Sequence, residues 1–447
     1  MVDYRIPVIA GVPRQLARAW LALGVAALIG SGLLAVLLVL SRTPGMQHVF
    51  PLRDFFRSAL VVHVDLSVLI WFMAFAGVLW SLAGDGRFAA LGRFGFWLAA
   101  LGTTVLTVSP FFPDAQPLLN NYIPVLQQPV FFAGLIIAGI GFVLTLVRAL
   151  LTIRPQKVGA DGTAVMRLGA LLAAVAGCFA FGGFVVSWFY APAREGQAYY
   201  EAVFWGGGHA LQFQHALLLA VAWFWLASEL GKAPRVTPRN AGILFLIAAL
   251  PLLAVPIIYV GWDVGSAWHM AYFARLMEWG HPLMTPLMLF AAMSLWQVRG
   301  SATPAKSAFL ASFFLFTVGG LLAYMIKGVN VVIPAHYHGS IVGVTLAFMG
   351  LAYVLLPQLG FGPANGKMAR WQPYVYGGGQ LIHVLGLAWS GGYGVQRKVA
   401  GAEQILTTLP QKIGMGMMGA GGLIAVIGGV MFVLVCLKAM RQRSTAP

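Results

Sequence analysis

Charge is scarce in this chain: Asp, Glu, Lys and Arg make up only 9% of its 447 residues, and just 12 are acidic. A water-soluble domain carries roughly a quarter charged residues, so water is excluded as the main solvent. Cysteine is nearly missing, and Cys178 and Cys436 lie in separate apolar stretches. That excludes a disulfide framework, and no C-x-x-C-H run offers covalent attachment to a prosthetic group. Long polar connections are also lacking, so no soluble module is marked off and 1–447 reads as one transmembrane domain. No run of basic residues is interleaved with aromatics, which excludes nucleic acid as a partner. The first apolar stretch is too long for a cleavable signal and has no small-residue cleavage site.

Apolar residues are what the chain has, at 60%. Stretches of about 20 weakly charged residues, each able to cross some 30 Å of hydrocarbon, recur along its whole length. They predict twelve spans near 17–41, 58–83, 91–113, 127–150, 165–190, 201–228, 240–261, 266–297, 307–326, 332–357, 372–394 and 413–437. The fold class is therefore all-α and polytopic. Threaded with the N-terminus inside, 19 of the 28 basic residues fall in inner segments, 8 in outer ones, and Arg275 within a span. This is the asymmetry of positively charged cytoplasmic loops. It places both termini in the cytoplasm, the multi-pass chain in a bacterial-type inner (plasma) membrane among lipid, and the polar connection 113–126 on the outer face.

Nine histidines are present, and all but His48 fall in or at the edge of a span. A neutral imidazole in lipid is either bonded to a neighbouring helix or ligates something. His336 and His338, in Ile333-Pro334-Ala335-His336-Tyr337-His338, are two residues apart, hence about 200° apart around a helix. One helix can thus present an imidazole to a metal on each of two opposite flanks. Both lie toward the outer end of the tenth span, and His63 lies toward the outer end of the second. His63 and one of the pair therefore suit the two faces of one haem iron at one membrane depth. His215, His269 and His383 read as structural, and His48 as a loop residue.

The histidine of the second span, Trp205-Gly206-Gly207-Gly208-His209 in the sixth, the His-x-His of the tenth, and Arg397-Lys398 after the eleventh resemble the catalytic subunit I of the haem-copper oxidase and nitric oxide reductase superfamily. The resemblance runs over most of the chain and implies that superfamily's helical bundle with two haems, here b-type. It implies that His63 and His338 are axial ligands of a low-spin haem, and that His336 is the proximal ligand of a high-spin haem. Arg397 and Lys398 would pair with haem propionates. The wording of the second span, His63-Val64-Asp65-Leu66-Ser67, resembles the nitric oxide reductase version.

The pattern breaks at the second metal. The superfamily binds it by one histidine of the sixth span, matched by His209, and by an adjacent pair in the seventh, where Val255-Pro256 stand instead. Two accounts stay open. An iron or copper is retained on His209, Glu278 and His281, the last two being three apart and so neighbours on a helix face. Alternatively the metal is lost, and Glu278 and His281 form an ion pair or proton relay. Phe213 occupies the position where many oxygen reductases carry a tyrosine. Asp65 and Glu278 are the intramembrane acids, too few for an inward file, so proton pumping is not expected. The expected reaction is reduction of a small diatomic, nitric oxide to nitrous oxide, catalysed at His209 and Glu278. Oxygen reduction is one alternative, and a non-catalytic electron-transfer or gas-sensing subunit is another. A cytochrome c or cupredoxin-type subunit, or a quinol, would deliver electrons.

Overall fold

In hydrocarbon every main-chain N–H and C=O must find its partner inside the protein, so an apolar chain of this kind folds as helices. The computed structural model describes residues 2–42, 55–154, 156–157, 159–297, 300, 303–397 and 406–442. His48 and Lys398 lie outside them. The helices are α1 (Val12–Arg42), α2 (Phe55–Val64), α3 (Trp71–Ala83), α4 (Ala89–Val108), α5 (Pro129–Thr152), α6 (Gly162–Tyr190) and α7 (Gly196–Glu229). They continue as α8 (Pro238–Ala249), α9 (Ala254–Gly261), α10 (Ala267–Gly280), α11 (Thr285–Leu295), α12 (Pro304–Ala323), α13 (Val332–Gln358), α14 (Lys367–Gly392) and α15 (Leu409–Arg441). A two-stranded hairpin, β1 (Pro117–Leu118) with β2 (Val125–Leu126), pairs Pro117 with Leu126 and Leu118 with Val125.

Three of the twelve expected spans are not simple helices. The second runs from α2 through a π-helical turn, Asp65–Ile70, into α3. In the seventh and eighth, 3-10 turns at Leu250–Leu253 and His281–Met284 separate α8 from α9 and α10 from α11. Each turn holds a proline, Pro251 or Pro282, whose missing N–H and ring clash break the α-helical ladder. Among the described residues ten helical segments are long and apolar enough to cross a membrane. The broken eighth span is not one of them. Nor is α14, an unbroken helix of 26 residues with Lys367, Arg370, Gln372 and Gln380 along it.

Helix starts follow local chemistry. Asp161, Thr237, Ser266 and Thr303 accept main-chain N–H groups at the starts of α6, α8, α10 and α12, and Thr408 with Gln411 forms a capping box on α15.

Packing divides the chain into two compact units, one of residues 1–228 and 233–294, the other of 229–232 and 295–447. In the first, α4 and α5 meet through small residues; a methyl group on Gly134 would stand 2.8 Å from the main-chain nitrogen of Leu106. In the second, α12 and α13 meet at Gly319 and Gly339, where a methyl group on Gly339 would lie 2.6 Å from Gly319 Cα. This close approach lies one turn from His336 and sets the spacing of the two helices there.

Candidate functional site

His336 sits on the face of α13 that meets α12. The close approach of Gly319 and Gly339 brings the Gly319 carbonyl to 2.7 Å from His336 Nδ1. A carbonyl only accepts, so Nδ1 carries the proton and Nε2 keeps its lone pair. His338, two residues on, faces α14, where its ring lies 4.8 Å from that of His383 and 5.1 Å from that of Tyr337. The two imidazoles thus lead to different neighbouring helices. His383 in turn donates Nδ1–H to the Met418 carbonyl of α15 at 2.9 Å. The Val331 N–H donates to the Val395 carbonyl (3.1 Å), tying the connection after α14 to the start of α13. Arg397, two residues further, comes within electrostatic reach of Tyr337.

His63 closes the same kind of arrangement in the other unit. Its Nδ1–H donates to the Ser31 carbonyl of α1 at 2.9 Å, and the Ser31 hydroxyl donates back to the His63 carbonyl at 3.1 Å. Ser67 adds a 2.7 Å bond to that carbonyl. The π-helical turn begins two residues later at Asp65, which is buried with both carboxylate oxygens unbonded within the protein.

His209, on α7 and buried, donates Nδ1–H to the Trp205 carbonyl one turn back at 2.7 Å. Aromatic rings enclose it: Trp205 at 4.7 Å, Tyr122 at 4.9 Å and Phe273 at 5.7 Å between centroids. The three glycines before it serve this packing. A methyl group on Gly206 would strike Tyr259, on Gly207 the Phe184 ring, and on Gly208 the Tyr122 ring. Tyr259 is held by Ser187 (2.9 Å) and donates to the Gly183 carbonyl (3.0 Å). Its ring lies edge-on to His269, which packs on Phe273 as well.

Tyr122 joins this site without a motif of its own. Asn120 caps its turn, accepting from the N–H groups of Tyr122 and Ile123 at 2.9 Å, and Asn121 bonds Glu201 of α7. Burial, with the charge of Glu201 added, pushes the Tyr122 phenol well above its ordinary range, so it stays protonated. The sequence signal for this contact is the glycine run before His209, which clears a helix face for a ring.

His281 comes within electrostatic reach of His209, but Glu278 completes no metal-holding group with them. Glu278 is exposed on α10, whereas His281 begins the 3-10 turn and packs edge-on against buried Phe213 at 4.4 Å. The α-helical ladder still runs through both residues, the His281 N–H bonding the Met277 carbonyl, and breaks only at Pro282 beyond them. Among the described residues no group of three or more His, Cys, Asp or Glu side chains is placed to hold a metal ion. The imidazoles of His63, His336 and His338 suit haem, which takes one or two of them.

Residues 15–431 match the family described as cytochrome c and quinol oxidase polypeptide I. The chain belongs to that family. Its members are haem-holding membrane oxidoreductases. An uncharacterised protein of Rickettsia prowazekii is 29% identical, with 95% of this chain and 96% of that protein covered. One from Aquifex aeolicus is also 29% identical, over 79% of this chain and 88% of its own. A haem-copper terminal oxidase solved as a dimer superposes with a TM-score of 0.70 at 15% identity, covering 98% of this chain and 85% of the oxidase. At that identity the likeness establishes the haem-copper oxidase subunit I fold.

Proposed function

We propose that this member of the family is a di-haem membrane oxidoreductase core that reduces a small diatomic, nitric oxide to nitrous oxide. The observation that carries the haem reading is the tautomer of the histidines: His63 and His336 both commit Nδ1–H to a main-chain carbonyl, leaving Nε2 as a metal ligand. In this reading His63 and His338 are the axial ligands of a low-spin b-type haem, and His336 is the proximal ligand of a high-spin one. When bound, the haems supply one-electron transfer and an open iron position for the diatomic. The chain's own part is to orient those imidazoles and to place Arg397 and Lys398 for the propionates. Electrons would come from a cytochrome c or cupredoxin-type subunit or from a quinol. Nitric oxide is preferred over oxygen because the second span carries His63-Val64-Asp65 and because buried Phe213 supplies no phenol.

One observation favours a second reading, a haem-binding electron-transfer or gas-sensing subunit without turnover. Val255 and Pro256 cannot ligate, and no metal-holding group forms among the described residues. Turnover with nitric oxide against oxygen separates the two. The ligand assignment has its own test. His338→Ala should abolish the six-coordinate low-spin signal in a reduced-minus-oxidised spectrum while part of the high-spin signal stays, and an unchanged low-spin signal would sink it.

A further inference from the structure

The chain's basic residues cluster at the ends of helices assigned to the cytoplasmic side, and there the first unit encloses a cavity of about 330 Å3. It is lined by the start of α1 (Ile9, Ala10, Val12, Pro13), the turn after α3 (Ala83, Gly84, Asp85, Gly86), and Thr152, Arg154, Gln156 and Arg167 around the connection from α5 to α6. Its size matches a small-molecule site.

Its chemistry is one-sided. Arg167 lies in the first turns of α6 with its Nε atom buried and without a hydrogen-bond partner. A guanidinium N–H left unbonded inside a protein is costly, so it is built to meet an acceptor. Arg154 approaches Asp85 at 3.4 Å, but Asp85 is already held by Arg87, through its main-chain N–H and its Nε, each at 2.9 Å. The Asp85 main-chain carbonyl, in turn, accepts from Arg148 at 2.6 Å. Burial alone would raise the Asp85 carboxyl, but the bonds and charge of Arg87 and the charge of Arg154 outweigh it and hold the carboxyl below its ordinary value. One carboxylate thus faces several guanidiniums, and the balance stays positive. Val12 and Pro13 open α1, so the positive end of a 31-residue helix adds to the field. Apart from Thr152 and Gln156, the rest of the wall is apolar or glycine, with Ile9, Val12, Pro13 and Ala83 its larger apolar members.

We propose that this cavity binds a phosphate group, with Arg154 and Arg167 as its ligands and the apolar wall receiving the glycerol and first methylenes of an anionic lipid. The same phosphate chemistry could be met by free inorganic phosphate, and the experiment separates the two sources. The site is independent of haem ligation, so its failure leaves the redox reading untouched.

The test uses the full-length chain, delipidated in detergent. Native mass spectrometry follows retention of added phosphatidylglycerol against phosphatidylcholine, and thermal unfolding is measured with millimolar inorganic phosphate. The wild type is expected to retain phosphatidylglycerol selectively. At roughly fivefold per arginine beside an anionic headgroup, Arg154→Gln with Arg167→Gln should weaken that retention about twenty-five-fold. Ile9→Trp keeps both guanidiniums but fills the cavity, and it should lose the lipid as well. That variant decides the matter if the arginine pair does not fold. Stabilisation by phosphate alone, lost in the variants and not exceeded by the lipid, would support the site with a free anion as its ligand. Equal lipid retention and equal phosphate response in wild type and both variants would overturn it.

Discussion

An imidazole that gives its Nδ1–H to a main-chain carbonyl has only one coordinating atom left, and among the described residues His63, His209, His336 and His383 are in that state. The carbonyls come from α1, α7, α12 and α15, so the tautomer is fixed by main-chain atoms that side-chain substitution does not remove. Ser31→Ala is therefore expected to leave the haem content of the purified protein close to wild type, because the carbonyl bond to His63 survives. Loss of most haem in that variant would show that the hydroxyl, and not the carbonyl, orients the ring. Away from the site, Tyr4 is buried, packs edge-on against Phe224 and donates to the Val236 carbonyl at 2.5 Å. Burial pushes its phenol up to about 12. A folded value above the unfolded one means the contribution is whole below pH 10 and fades as pH rises from there toward 12. Tyr4→Phe strands a buried carbonyl and should cost about 1–3 kcal/mol at neutral pH, with a weaker alkaline loss between pH 10 and 12 in unfolding measurements.

Helices in lipid approach closely where side chains are smallest, and α12 with α13 shows what that approach is used for. The Gly319–Gly339 contact sets the distance at which the Gly319 carbonyl meets His336. Gly339→Val should push the two helices apart, cost about 1–3 kcal/mol of thermal stability, and reduce the haem retained on His336. Gly320→Ala is the control one residue along, since its methyl group would enter open space. It should be neutral or stabilising by up to ~1 kcal/mol. If both variants behave alike, the close approach does not position the histidine. The π-helical turn at Asp65–Ile70 belongs to this scale too, because such turns re-aim side chains within a helix, and this one begins beside His63 and carries an unbonded buried carboxylate.

For the molecule as a whole, the decisive quantity is metal content. Two irons per chain and no third metal is the expected result of elemental analysis on the purified protein. A stoichiometric third metal would restore the account in which His209, Glu278 and His281 hold it, since Val255 and Pro256 have no ligating side chain. Family membership reaches across nearly the full chain, yet in the seventh span, interrupted by a proline turn, Val255 and Pro256 stand where the family's histidine pair belongs.

Apolar runs too long for any soluble core dictated helices and lipid, and the period of 3.6 residues sent His336 and His338 to different sides. Those properties are local, so the sequence alone determined them. The partners of each ring were decided only by tertiary packing, because a carbonyl from another helix, such as Gly319 to His336 or Met418 to His383, leaves no trace in nearby residues. For the same reason Glu278 stands exposed while His281, three residues on, packs against Phe213, and Tyr122 reached His209 from a distant loop. Spacing predicts a face only while the helix continues, and what lies opposite that face is settled by the rest of the chain.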